Sequence, residues 1–186
     1  MSVRKKMLVN RILNSMVLFF LIASYARGDE MLASAVNHYN HGEYVQAYDI
    51  LSSTESPLSP EANYLLGQMY IWGRGVVRNS GKAMEHLTLA SNEGLIEATK
   101  LLAGRYLFGI DGVNINKALG TKMYEEVAEK GDVDFQLDLV HMFSHGIGTE
   151  QSCVKARYWL GRLTAKGYED IKSKQKVLLE SGCKLE

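Results

Sequence analysis

A period of 36 to 37 residues runs through most of this 186-residue chain, and no other sequence feature restricts its fold as strongly. Residues 62–70, 98–106 and 135–143 align as an apolar residue, a leucine four places on, a slim residue next and an aromatic three later. The aromatics are Tyr70, Tyr106 and Phe143, and each is followed three residues later by glycine: Gly73, Gly109 and Gly146. A second glycine column, Gly94, Gly131 and Gly167, keeps the same spacing. Two independent columns on one period define a repeat, and a unit of this length is one helix hairpin.

Within a unit the apolar spacing is helical. Ala62, Leu65, Leu66, Met69 and Tyr70 fall at i, i+3, i+4, i+7 and i+8, so they line one face. The glycine past the aromatic ends that helix with a left-handed cap. The loop that follows carries Val76 and Val77, expected to tuck under the turn, and a second helix over about 82–92 presents Ala83, Leu87 and Ala90. Such a hairpin is apolar on a face it cannot bury alone, so it must stack on its neighbours. The fold class predicted is all-α: stacked antiparallel helix hairpins, about 8–9 helices in all.

The pattern Ala-x3-Leu-Gly-x2-Tyr-x2-Gly-x-Gly-Val, then Lys-Ala and a closing glycine, resembles the Sel-one-like repeat (SLR), a relative of the tetratricopeptide repeat. Residues 61–94 carry it best, in Ala62, Leu66, Gly67, Tyr70, Gly73, Gly75, Val76, Lys82, Ala83 and Gly94. Residues 95–131 keep Ala98, Leu102, Tyr106, Gly109, Gly112, Val113, Lys117 and Ala118, but their loop is one residue longer. That shift leaves open whether Ala118 or Gly120 takes the close-packed site. Residues 132–167 diverge, with Phe135 for alanine and Val140 for glycine. The resemblance implies a right-handed α-solenoid that scaffolds protein complexes, in bacterial members often for envelope assembly, signalling or host interaction.

The flanks read as caps. Residues 27–60 hold a tetratricopeptide-like helix pair around Gly42 and a linker with both prolines; residues 168–186 hold a lysine-rich capping helix with Ile171, Val177, Leu178 and Leu179 inward. Before them, residues 1–26 contain Arg4, Lys5, Lys6 and Arg11, no acid, and then about a dozen mostly apolar residues. That is the layout of a cleavable secretory signal, with the cut expected after Ala26 and a retained membrane anchor as the alternative. Without it, 17 basic groups face 21 acidic ones, a balance that argues against nucleic acid. The expected product is periplasmic or secreted, with no membrane span.

Cys153 opens the second helix of the third unit, and Cys183 follows the last helix. They are equidistant from a turn near residue 168, so an antiparallel hairpin there brings them face to face. Export then predicts one disulfide, worth about 3–4 kcal/mol through loop entropy.

Chemistry-bearing motifs are sparse. His38/His41 and His141/His145 share helix faces but lack further ligands at motif distance, so no metal or other cofactor is expected. Ser152-x-x-Lys155 and Ser173-x-x-Lys176 match the Ser-x-x-Lys of penicillin-recognising enzymes, at a frequency chance explains, with no companion motif. Links of cysteine-rich SLR relatives to β-lactam hydrolysis keep an exported hydrolase as the alternative function. The aromatics Tyr70, Tyr106, Phe143, Tyr124, Tyr158 and Trp159 fall at core spacing. What remains is a surface. The first helices of successive units line the inner wall of such an array, where Asn37, Gln68, Gly104 and His141 form one column and Tyr64, Lys100 and Leu137 another. The function expected is a non-enzymatic adaptor whose concave face binds a peptide or protein through Asn37, Tyr64, Gln68, Lys100 and His141.

Overall fold

The computed structural model describes residues 28–53 and 58–184. The expected signal segment and part of the proline linker lie outside the described residues. The chain divides into two compact units at Asn79/Ser80. The first holds α1 (28–40), α2 (Tyr44–Ser53) and α3 (Pro60–Trp72). The second holds α4 (Ser80–Asn92), α5 (Ile96–Phe108), a 3-10 turn (Ile110–Gly112), α6 (Lys117–Glu129), α7 (Val133–His145), α8 (Cys153–Ala165) and α9 (Ile171–Glu180). Nine α-helices and no strand occur among the described residues.

The repeat appears as six consecutive helices of 13 residues each, α3 to α8. Local chemistry sets their ends. Ser59, Asn116, Asp132 and Ser152 cap helix starts by accepting the backbone N–H of the residue three places on. Gly73, Gly109 and Gly146 end α3, α5 and α7 at φ of 66, 65 and 69°, each donating its N–H to the carbonyl four residues back. Only glycine takes that left-handed turn without steric cost, which is why the column is invariant within the chain.

In the first unit Ala35, Ala47, Leu51, Ala62, Leu65, Leu66 and Met69 form one buried cluster. In the second, α5–α6 and α7–α8 are antiparallel hairpins that stack through α6 and α7. Leu107, Tyr124, Val127, Phe135, Leu139, Phe143, Trp159, Leu163 and Leu178 share its core. Small residues let the helices approach. A methyl group at Gly120 would sit 2.6 Å from Leu107 Cγ and 2.9 Å from the Ala103 carbonyl oxygen, so Gly120, not Ala118, holds the close-packed site.

Three side-chain expectations need correction. Val76 packs against the first core but Val77 is 85% exposed, because one residue of the pair must face away from the turn. Leu179 (53% exposed) lies beside Leu178 on α9, about 100° round the helix; of the two only Leu178 reaches the core, where Ile171 also packs. Tyr158 (50% exposed) is likewise the outward neighbour of buried Trp159.

The Cys153–Cys183 disulfide forms as expected, with the Cα atoms 5.2 Å apart. It ties the end of the α9 segment to the start of α8. The extra residue of the second repeat's loop also has a structural role. Position 105 holds arginine where the neighbouring repeats hold Met69 and Met142, and all three are buried. The guanidinium of Arg105 donates to Asp111 Oδ2 at 3.1 Å and to the Leu101 carbonyl at 2.9 Å. Asp111 itself sits at φ 59° in the lengthened loop, and its carbonyl accepts the Ser80 hydroxyl at 2.7 Å. Burial lowers the Arg105 pKa, and the Asp111 carboxylate opposes that shift. The longer loop supplies the counter-ion that a buried arginine requires.

Candidate protein-binding face

The first helices of the second unit, α5 and α7, carry two of the proposed recognition residues. Lys100 is exposed on α5 and His141 is exposed on α7. The structure brings them together electrostatically around a residue that sequence reasoning missed, Asp138. Burial is the main cause raising the Asp138 pKa, Lys100 and His141 pull it down, and Asp134 and Asp132 push it up. The Asp138 charge also raises the pKa of buried Tyr124, behind the desolvation that dominates there. Lys100 Nζ lies 5.4 Å from the centroid of the buried Phe135 ring, within cation–π range. The His141 and His145 rings stand 4.5 Å apart. Gly104 leaves a notch on α5, where an added methyl group would meet no atom within 4 Å, and Leu137 on α7 is half-buried. The face thus combines an ammonium, imidazoles, a partly desolvated carboxylate and apolar surface.

The sign of the Asp138 effect is fixed by its direction. A carboxyl whose pKa is raised by folding opposes folding when ionised; the penalty is complete above the raised pKa and absent below the ordinary carboxylate range. Asp138→Asn is therefore expected to raise the urea midpoint at pH 7 and to leave it unchanged near pH 3. A midpoint lowered at pH 7 would contradict this account of the site.

In the first unit Tyr64 and Gln68 are half-exposed, one turn apart on α3, while Asn37 is exposed on α1 and accepts the His41 imidazole through its carbonyl at 2.8 Å. That unit also holds an aromatic cluster unforeseen from the sequence. The Arg74 guanidinium lies 5.2–5.4 Å from the Tyr39, Tyr44 and Trp72 ring centroids and donates to the Tyr39 hydroxyl at 2.5 Å. With its own arginine inside, this cluster pins α1 and α2 to the loop after α3.

In the second unit a cleft between α6 and α8 is lined by Lys122, Glu125, Glu129, Lys155, Tyr158 and Trp159. Its charges are spent on one another: Lys155 Nζ lies 2.9 Å from Glu125, and Glu129 accepts Arg162 at 2.6 Å and the Tyr158 hydroxyl at 3.0 Å. The same contacts bear on the Ser-x-x-Lys motif. Ser152 Oγ accepts the Lys155 backbone N–H as a helix cap, while the Lys155 ammonium points to Glu125 and the Phe143 ring. A serine nucleophile needs that amine as its base; here the amine is engaged elsewhere. Among the described residues no three His, Cys, Asp or Glu side chains converge as a metal site would need, and no helix is long and apolar enough to cross a membrane.

The Sel1 repeat model matches residues 60–95, 96–132 and 137–168. Among solved structures, a Sel1 repeat protein from Oxalobacter formigenes matches at TM-score 0.64 and 24% identity, over 83% of this chain and 62% of that one. The protein c5321 of uropathogenic Escherichia coli, described as a protective antigen with an SLR fold, matches at TM-score 0.64 and 26% identity, over 75% of this chain and 31% of that one. This chain therefore spans less than two thirds of either relative. No curated protein matches. The neighbours share an all-α solenoid fold class.

Proposed function

Because the chain belongs to the Sel1 repeat family, whose members are generally protein–protein interaction scaffolds, we propose that it is an exported, non-enzymatic adaptor. It takes a peptide or protein segment on the concave face formed by its first helices, and Lys100, Asp138 and His141 with the Gly104 notch are the centre of that face. The observation that supports this reading is that α5 and α7 present exposed Lys100 and His141, both acting on the half-buried Asp138 carboxylate, with Gly104 leaving open space on α5. Mixed polar and apolar groups around such a notch suit recognition better than catalysis. Asn37, Tyr64 and Gln68 extend the same role to the first unit. Export is supported by the basic, then apolar, first 26 residues and by a disulfide that uses both cysteines.

Placing a photocrosslinking amino acid at position 104 or at position 161 tests the face. Gly104 lies on α5 and Gly161 on α8, and both leave open space for a side chain. Irradiation of the exported fraction is expected to yield adducts of defined mass from position 104 and none from 161. Lys100→Glu with His141→Ala should reduce the position-104 adducts at least tenfold. Equal labelling at both positions, or adducts untouched by the substitutions, would overturn the reading.

A further inference from the structure

We infer that Tyr39, Tyr44 and Trp72 form a cation site for a trimethylammonium group of the choline type, and that Arg74 is its built-in occupant, displaced when the ligand enters. The guanidinium carbon of Arg74 lies over all three rings, 5.4 Å from the Tyr39 centroid and 5.2 Å from those of Tyr44 and Trp72. Three ring faces directed at one positive centre are the recognition chemistry of a quaternary ammonium. The guanidinium here stands in for the ligand's charge and marks its position.

The walls stand without the arginine side chain. Tyr39 and Tyr44 both pack against the first core, and their rings meet edge to face with centroids 5.1 Å apart. Backbone contacts fix the loop: the Arg74 N–H donates to the Met69 carbonyl at 3.0 Å, and Gly75 seats against the Tyr44 carbonyl too closely for a methyl group. The later repeats need no cation at this slot, since Ile110 and Ile147 follow the cap glycine there. Withdrawing the guanidinium therefore leaves a preformed aromatic site.

Arg74 is held loosely. Trp72 is 47% exposed and Arg74 is half-buried, so the site is open to solvent on one side. Among the described residues the guanidinium donates to the Tyr39 hydroxyl and pairs with no carboxylate, in contrast to Arg105 with Asp111. The same lack of an anion selects the ligand. A guanidinium or primary ammonium brings N–H donors that rings leave short of acceptors, whereas a trimethylammonium has none to satisfy. A cation that needs rings alone fits this site better than its resident does.

Nuclear magnetic resonance of the full chain, titrated with tetramethylammonium chloride, tests this. The indole N–H of Trp72 should shift, that of Trp159, buried in the other unit, should not, and potassium or ammonium chloride at equal ionic strength should shift neither. Arg74→Ser should bind about tenfold more tightly than wild type, because the competing occupant is gone. Arg74→Ser/Tyr39→Leu should lose that gain. Choline and phosphocholine, titrated in the same way, separate the sources: equal affinities assign a head group, and loss with phosphocholine assigns the free cation. The inference fails if Trp72 stays unshifted in the wild-type chain, a result that holds even where Arg74→Ser does not fold. It also fails if ammonium shifts Trp72 equally, or if folded Arg74→Ser binds no more tightly than wild type.

Discussion

Asp111→Asn is expected to destabilise the 80–186 unit by about 3 kcal/mol, and to lower its melting temperature by about 10 °C. The substitution is nearly isosteric, and asparagine tolerates the left-handed backbone at this position as aspartate does, so shape and strain are conserved. What is lost is the charge facing Arg105. Arg105 is 6% exposed, and a guanidinium at that depth without a counter-ion bears the full cost of desolvation. Arg105→Met should cost less, because the neighbouring repeats show that this slot accepts methionine. The double variant Arg105→Met/Asp111→Asn should then recover most of the loss, giving a coupling energy of about 2 kcal/mol in a double-mutant cycle. An Asp111→Asn chain within about 0.5 kcal/mol of wild type by urea titration would show that the longer loop has no compensating role.

Gly75→Ala should be as damaging in the first unit, by about 3 kcal/mol, for a steric reason. Gly75 has φ 72°, and a methyl group there would lie 2.1 Å from the Tyr44 carbonyl oxygen and 2.4 Å from its carbon. Both atoms are backbone at the start of α2, so relief requires moving the helix away from the loop after α3. Gly42→Ala is the matched control: its φ is 80°, but nothing lies within 4 Å of the added methyl. Left-handed strain alone should cost that variant about 1 kcal/mol. Thermal melts in which the two variants agree would mean that the close approach of Gly75 to Tyr44 contributes nothing to stability.

The periodic features were legible in the sequence because each follows from a local rule. Helical spacing marked α3 to α8, left-handed glycine caps marked the ends of α3, α5 and α7, and antiparallel geometry brought Cys153 to Cys183. What escaped depends on which of two adjacent residues faces inward. Val77, Tyr158 and Leu179 each neighbour a more buried residue, and composition alone does not choose between them. The Arg105–Asp111 pair left a readable trace, an arginine in a methionine column followed by a loop one residue longer, but its meaning appears only when burial is known. Asp138 gave a weaker trace, a carboxylate one turn after Asp134 and three residues before His141. Its pKa shift arises from desolvation in the folded chain, which sequence spacing does not encode. The division at Asn79/Ser80, between the two helices of the first repeat, has no counterpart in the repeat pattern.

The helix hairpins depend on their neighbours for burial, and native-state hydrogen exchange with Leu139→Ala measures that dependence most directly. Leu139 on α7 is fully buried in the core that joins α5–α6 to α7–α8. The cavity should cost about 3 kcal/mol, and the amides of Leu102, Leu107 and Val127 should lose protection by the same factor as those of Phe143 and Leu163. Protection lost around α7 and α8 alone, with α5 and α6 unchanged, would contradict it.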